Sequence, residues 1–326
     1  MSEPFVRADV RAFLDYMAAA GRPPVQEAGH VAQRELMRAT RDLVEPEVGA
    51  LAVMRDLAAP GPAGPIPLRL FDARADRLPG PVVVFFHGGG FTIGDVDFYT
   101  PLCAEIARGL DLPVVSVEYR LAPEHPFPAA PDDCEAAARW VASGAAELGL
   151  GVSSLVLAGD SAGGNLTIVT AMALRDAPAA VPVIAQWPIY PVLGRAKDHG
   201  SFEQFGQDWF LTIEAMRFFD RCYAADAESW RAAPAIGRFD GLPPALVVTA
   251  SLDPLRDEGR AYAGVLAGHG IPTVFREAAG TIHGFMTFRR AIPSAAGDLA
   301  GCLAALKPII VEAEADRVMR QAARAG

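Results

Sequence analysis

Several functional classes are excluded by what the sequence has little of. Its four cysteines stand far apart at 103, 134, 222 and 302. They form no Cys-x-x-Cys pair and have no histidine at ligand spacing, so neither a zinc site nor a disulfide framework is expected. All four read as small buried hydrophobes. Basic charge is in deficit: 29 Lys and Arg against 39 Asp and Glu leave a formal net charge of −10. No cationic face can neutralise a run of phosphates, which excludes nucleic acid as a partner. No apolar run approaches the roughly 20 residues of a membrane span, and the start from Met1 to Asp9 is too polar for a signal-peptide core. The expectation is a cytoplasmic protein with no membrane partner.

What is present reads as a packed enzyme-sized domain. The 326 residues are 51% hydrophobic and 21% charged, which suits one large α/β domain with an accessory element. The first fifty residues carry two amphipathic helical patterns, about 5–20 and 29–44, separated by the breaker Gly21-Arg22-Pro23-Pro24. Eight β-like runs follow, at 51–57, 66–71, 82–86, 114–117, 155–158, 183–186, 246–249 and 273–275. Helical stretches near 98–109, 131–147, 163–175, 257–268 and 296–322 alternate with the later runs. That alternation predicts a mostly parallel eight-stranded sheet covered by helices on both faces, with its active site at the strands' C-terminal ends. The Pro/Gly stretch from Ala59 to Pro65 predicts a surface hairpin. The aromatic-rich interval 194–236 breaks the rhythm and reads as an insertion. The organisation expected is an N-terminal helical segment (1–50), a first core part (51–193), the insertion (194–236) and a second core part (237–326).

Four motifs carry chemistry. Leu155 to Ala158 runs into Gly159-Asp160-Ser161-Ala162-Gly163 and then a helical stretch, the setting of a nucleophile elbow with Ser161 as nucleophile. Val82 to Phe86 enters His87-Gly88-Gly89-Gly90, whose amides can approach a developing oxyanion. Gly89 and Gly90, with the amide of Ala162, are the expected oxyanion hole. The glycines lack Gly-x-Gly-x-x-Gly spacing and no Lys-Ser/Thr follows, which excludes a phosphate loop. His87 lies upstream of the serine and is read as ordering its loop.

A serine hydroxyl needs a base oriented by a carboxylate. Asp253 sits just past the run 246–249, with Asp257 and Glu258 suited to the first turn of the next helix. His283, flanked by Gly280 and Gly284, follows both Ser161 and Asp253 in a loop after the last run. The chain order Ser161, Asp253, His283 is that of α/β-hydrolase triads. Histidine must be neutral to act as base, so activity should rise through about pH 6 to 7.

These residues together resemble the hormone-sensitive-lipase-like (bacterial family IV) esterases of the α/β-hydrolase superfamily. The likeness rests on His87-Gly88-Gly89-Gly90, Gly159-Asp160-Ser161-Ala162-Gly163-Gly164, Asp253-Pro254-Leu255-Arg256-Asp257-Glu258-Gly259 and His283-Gly284-Phe285, with Tyr119 to Ala130 similar to a further family segment. The resemblance implies an α/β-hydrolase fold with a helical cap built from the N-terminal helices and the insertion. It also implies a carboxylesterase without cofactor or metal, acting on short-to-medium acyl esters with water. Trp209, Phe210 and Leu211 are the candidates for pocket lining. Asp160 is read as capping the next helix or tying down a cap loop, and the Tyr119 to Ala130 segment as a packed support. A non-catalytic small-molecule receptor on the same fold, an amidase or lactonase using the same triad, and a homodimer are left open.

Overall fold

β-branched and aromatic residues dominate the central runs, and the chain pairs them into one eight-stranded sheet in a computed structural model that describes residues 3–325. The strands are β1 (Val53–Gly61), β2 (Gly64–Asp72), β3 (Gly80–Phe86), β4 (Val114–Val117), β5 (Val152–Asp160), β6 (Val183–Ile189), β7 (Ala245–Leu252) and β8 (Thr273–Ile282). Their order is β1-β2-β4-β3-β5-β6-β7-β8. β1 and β2 pair antiparallel, as do β2 and β4, and every later pairing is parallel.

The helices are α1 (Ala8–Ala19), α2 (Val25–Val44), α3 (Val96–Leu110), α4 (Ala129–Ala142), α5 (Ala162–Asp176), α6 (Gly200–Phe205), α7 (Ile213–Tyr223), α8 (Arg256–Gly268) and α9 (Ser294–Ala325). Two cores sandwich the sheet. Val83 and Phe85 of β3 face α1, α3 and α9, whereas Val82, Val84 and Phe86 face α4 and α5, with α8 further along that side. Both faces being covered explains the continuous apolar runs of β3 and β5.

The eight strands stand where the sequence places them, and the differences are local. β1 and β2 run on into the Pro/Gly stretch, pairing Pro60 with Pro65 and Gly61 with Gly64, so the turn narrows to residues 62 and 63. Proline is tolerated there because the partnerless side of an edge strand needs no donor. α2 begins at Val25, ahead of the expected 29, and Gly29 interrupts it with φ 80°. The pattern 131–147 divides into α4 and a separate 3-10 turn at Ala146–Leu148. Cys103, Cys134 and Cys302 are buried, but Cys222 on α7 is half-buried, because only one face of that helix is covered. No cluster of three or more His, Cys, Asp or Glu positioned to hold a metal occurs among the described residues.

α9 runs against the expectation about apolar length: by length and composition it could cross a membrane. Its buried stripe, Ala295, Leu299, Cys302, Leu303, Leu306 and Ile310, packs in the sheet's core, which is how the apolar length is used here. Residues 1, 2 and 326 of the expected terminal segments lie outside the described residues.

Candidate active site

Register brings the motifs together. β3 and β5 are in parallel register with Phe86 opposite Gly159, so His87 and Asp160 leave the sheet at the same level. Leu252 of β7 is opposite Ile282 of β8, and the next residue of each strand is Asp253 and His283. Ser161 is the turn between β5 and α5, at φ 54° and ψ −116°. A Cβ on Gly163 would lie 1.9 Å from the Phe86 carbonyl oxygen, and one on Gly159 2.3 Å from that of Gly163. Only glycine lets the helix turn away this close to β3.

The three polar side chains form one chain of hydrogen bonds. His283 Nε2 lies 2.8 Å from Ser161 Oγ, and His283 Nδ1 lies 2.7 Å from Asp253 Oδ2. Asp253 is fully buried, and its other oxygen accepts the Leu255 amide at 2.8 Å. Because a carboxylate accepts only, Nδ1–H donates to it and the Nε2 lone pair faces the serine hydroxyl. Ser161 keeps 9% of its surface exposed, more than the fully buried Asp253 behind it.

The glycine loop curls beside this chain, with Gly89 at φ 117° and Gly90 at φ 58°. The Gly88 amide donates to the Tyr99 hydroxyl at 3.0 Å. The amides of Gly89, Gly90 and Ala162 donate to no acceptor among the described residues. His87 is buried, stacked on Tyr119 at 4.2 Å, and burial lowers its pKa to about 4. It is neutral and holds the Gly88 carbonyl through Nδ1, while the imidazole bonded to Ser161 Oγ is that of His283. The Tyr119 to Ala130 segment braces the loop from below: the Tyr119 hydroxyl donates to the His87 carbonyl at 2.7 Å and the Ala122 amide to that of Phe91 at 2.9 Å.

Asp257 and Glu258 lie in the first turn of α8, but their carboxylates turn to the insertion. Asp257 accepts the Ser201 amide at 3.1 Å, and the buried Glu258 accepts that of Arg195 at 2.6 Å. Tertiary donors have replaced a local capping role, so the loop carrying Asp253 is tied to residues 195–201. Burial pushes the Glu258 carboxyl up to about 7.

Of the expected lining residues, Phe210 comes beside the histidine loop. Its ring edge is 3.5 Å from where a Cβ on Gly284 would stand, and it packs edge-on against Phe288 at 5.0 Å. Trp209 instead packs on Phe205 and under Arg11. Leu211 is half-buried in the turn, its amide bonded to the Trp209 carbonyl. Phe219 of α7, not singled out in the sequence, lies directly on Gly90: a Cβ there would meet its ring at 2.4 Å. Its position one turn before Tyr223, which stacks on Phe91 at 3.9 Å, was the available signal. A cavity of about 430 Å³ between α3 and α9 is separate and contains none of these groups.

Sequence reasoning also missed what surrounds Asp160. Its Oδ2 accepts the hydroxyls of Tyr99 at 3.0 Å and Tyr190 at 3.3 Å. α5 has no side-chain cap at its start. Burial pushes the Asp160 carboxyl up to about 6, against the lowering effect of the Tyr99 hydrogen bond and of His283.

A strand-turn-helix serine, hydrogen-bonded to a histidine and a buried acid at neighbouring strand ends, defines the α/β-hydrolase architecture. A family model described as alpha/beta hydrolase fold matches residues 83–287. Esterase LipI of Mycobacterium tuberculosis is 36% identical over 296 residues, covering 89% of this chain and 91% of that protein. Carboxylesterase NlhH, also of M. tuberculosis, is 38% identical over 249 residues, 74% of this chain and 78% of that protein. The structure of an ester hydrolase from the metagenome of Lake Arreo, complexed with a derivative of bipyridine phosphonate, superposes with a TM-score of 0.88 at 34% identity. It covers 93% of this chain and 98% of that one. The chain therefore belongs to the α/β-hydrolase-fold family, in its hormone-sensitive-lipase-like (bacterial family IV) esterase branch.

Proposed function

We propose that the protein is a carboxylesterase that cleaves short-to-medium-chain carboxylic esters through an acyl-enzyme on Ser161. The observation that carries this reading is the unbroken hydrogen-bonded chain from buried Asp253 through His283 to Ser161 Oγ. In the proposed cycle His283 Nε2 takes the hydroxyl proton as Oγ attacks the ester carbonyl carbon. The amides of Gly89, Gly90 and Ala162 receive the oxyanion. The alcohol leaves with the proton from Nε2, and water, deprotonated by the same nitrogen, releases the acid and restores the hydroxyl. Asp253 stabilises the imidazolium at each transfer.

Residues 1–50 and 194–236 form the cap in this reading. α2 packs against α7, and α7 sets Phe219 over Gly90 while Phe210 borders Gly284. Aromatic rings against Gly90 of the glycine loop and Gly284 beside His283 favour short acyl chains in this reading. The names of the relatives and the phosphonate held by the Lake Arreo enzyme agree with acyl-transfer chemistry. The test is hydrolysis of 4-nitrophenyl esters with acyl chains of about two to sixteen carbons by the wild type and Ser161→Ala. The expected loss in kcat is about 10⁴-fold or more, with an optimum below about ten carbons in the wild type. Wild-type turnover by Ser161→Ala would overturn the assignment.

A further inference from the structure

Asp160 is 2% exposed, has no hydrogen bond to Oδ1, and gathers two tyrosine hydroxyls on Oδ2. Each tyrosine leads to a different part of the site. The Tyr99 hydroxyl donates to Oδ2 and accepts the Gly88 amide, which fixes the first peptide of the glycine loop. The fit is flush, since a Cβ on Gly88 would lie 2.7 Å from Asp160 Oδ2 and 2.8 Å from the Tyr99 oxygen. Tyr190, at the end of β6, carries its ring 4.7 Å from the His283 imidazole and edge-on to Phe285 at 5.5 Å. Ser161 is the adjoining residue of the chain.

We propose that Asp160 is a positioning residue: through Tyr99 it aims the Gly89 and Gly90 amides, and through Tyr190 it sets the wall on which the His283 imidazole rests, both in register with Ser161. One oxygen anchored on the nucleophile turn thus references two otherwise separate loops. The role rests on the serine-hydrolase reading above. Asparagine at 160 keeps the shape but weakens both bonds, because a neutral acceptor replaces a carboxylate, and it points an amide at the place where Oδ1 has no partner.

The experiment measures kcat and KM on 4-nitrophenyl acetate for Asp160→Asn, Tyr99→Phe and the double variant, with the affinity for an alkyl trifluoromethyl ketone as a tetrahedral mimic. Unfolding temperatures are recorded alongside. The expected result is a fall in kcat of about tenfold or more with KM within about twofold, and an equal loss of ketone affinity. The double variant should be little worse than the poorer single one, because both break one link. An active wild type whose Asp160→Asn variant keeps its kcat and ketone affinity overturns the positioning role, as does strict additivity in the double variant. Should Asp160→Asn fail to fold, Tyr99→Phe and Tyr190→Phe, which retain the carboxylate, decide it: unchanged kcat and ketone affinity in both overturn the role. A wild type without esterase turnover instead sinks the hydrolase reading, and this role with it.

Discussion

At Ser161 the backbone occupies φ 54°, ψ −116°, a region that costs a non-glycine residue roughly 1–3 kcal/mol and persists only where the surroundings over-determine it. Here the Ser161 amide is held by the Ile189 carbonyl at 2.8 Å, and its carbonyl receives the amides of Asn165 and Val192. The strain raises the hydroxyl toward His283 rather than into the core. Gly163 makes that turn sterically available, so Gly163→Ala should cost about 3 kcal/mol or more of stability, read by denaturant unfolding. The Asp253 oxygens are both engaged, one by His283 and one by the Leu255 amide. Asp253→Asn should keep the fold yet lower kcat by about 10⁴-fold, since an amide favours the wrong imidazole tautomer.

Among the elements, α2 and α7 connect the outer helices to the chemistry. α2 ends at Val44, and the next residue, Glu45, is buried and paired with buried Arg289, which also donates its amide to the same carboxylate. Burial keeps the Glu45 carboxyl above its ordinary range even so. Glu45→Ala would strand a buried guanidinium, and a loss of about 3–5 kcal/mol in urea unfolding is expected. α7 brings Phe219 onto Gly90. Phe219→Ala removes the ring that covers Gly90, so the acyl-chain optimum should shift to longer esters, with kcat/KM for the shortest reduced. An unchanged chain-length profile would remove Phe219 from the pocket. The pairing of these helices with the loops is where sequence reading fell short. A 3.6-residue pattern states that a helix has an apolar face, and which partner covers it depends on elements far along the chain.

For the molecule as a whole, buried acids shape the response to pH. Burial pushes Glu118 and Glu258 up to about 7 from 4.5, and Asp160 up to about 6 from 3.8. The folded state therefore holds protons that the unfolded chain has released. Their stabilising contribution is complete below about pH 4 and is lost as pH rises through 6 to 7. His87 works in the opposite sense: with its pKa lowered to about 4 from 6.5, its contribution is present above about pH 6.5 and is lost as pH falls through 4. Between pH 5 and 8 the three acids outweigh the one histidine, and unfolding free energy should decline with pH. Glu258→Gln should flatten that decline, as measured by denaturant titrations at pH 5, 6.5 and 8. An identical slope in the variant would exclude Glu258 as a contributor.

Sequence alone determined the strand-by-strand architecture and four motifs at strand ends, because period-2 and period-3.6 hydrophobicity and glycine placement are local signals. It also singled out Ser161, Asp253 and His283, since chain order and loop position are written linearly. The tertiary structure decided the meeting of Asp160 with Tyr99 and Tyr190, the turning of Glu258 away from its own helix, and the placing of Phe219 on Gly90. Each depends on register between parallel strands and on docking of one helix against another, which distant residues set together and no local pattern records.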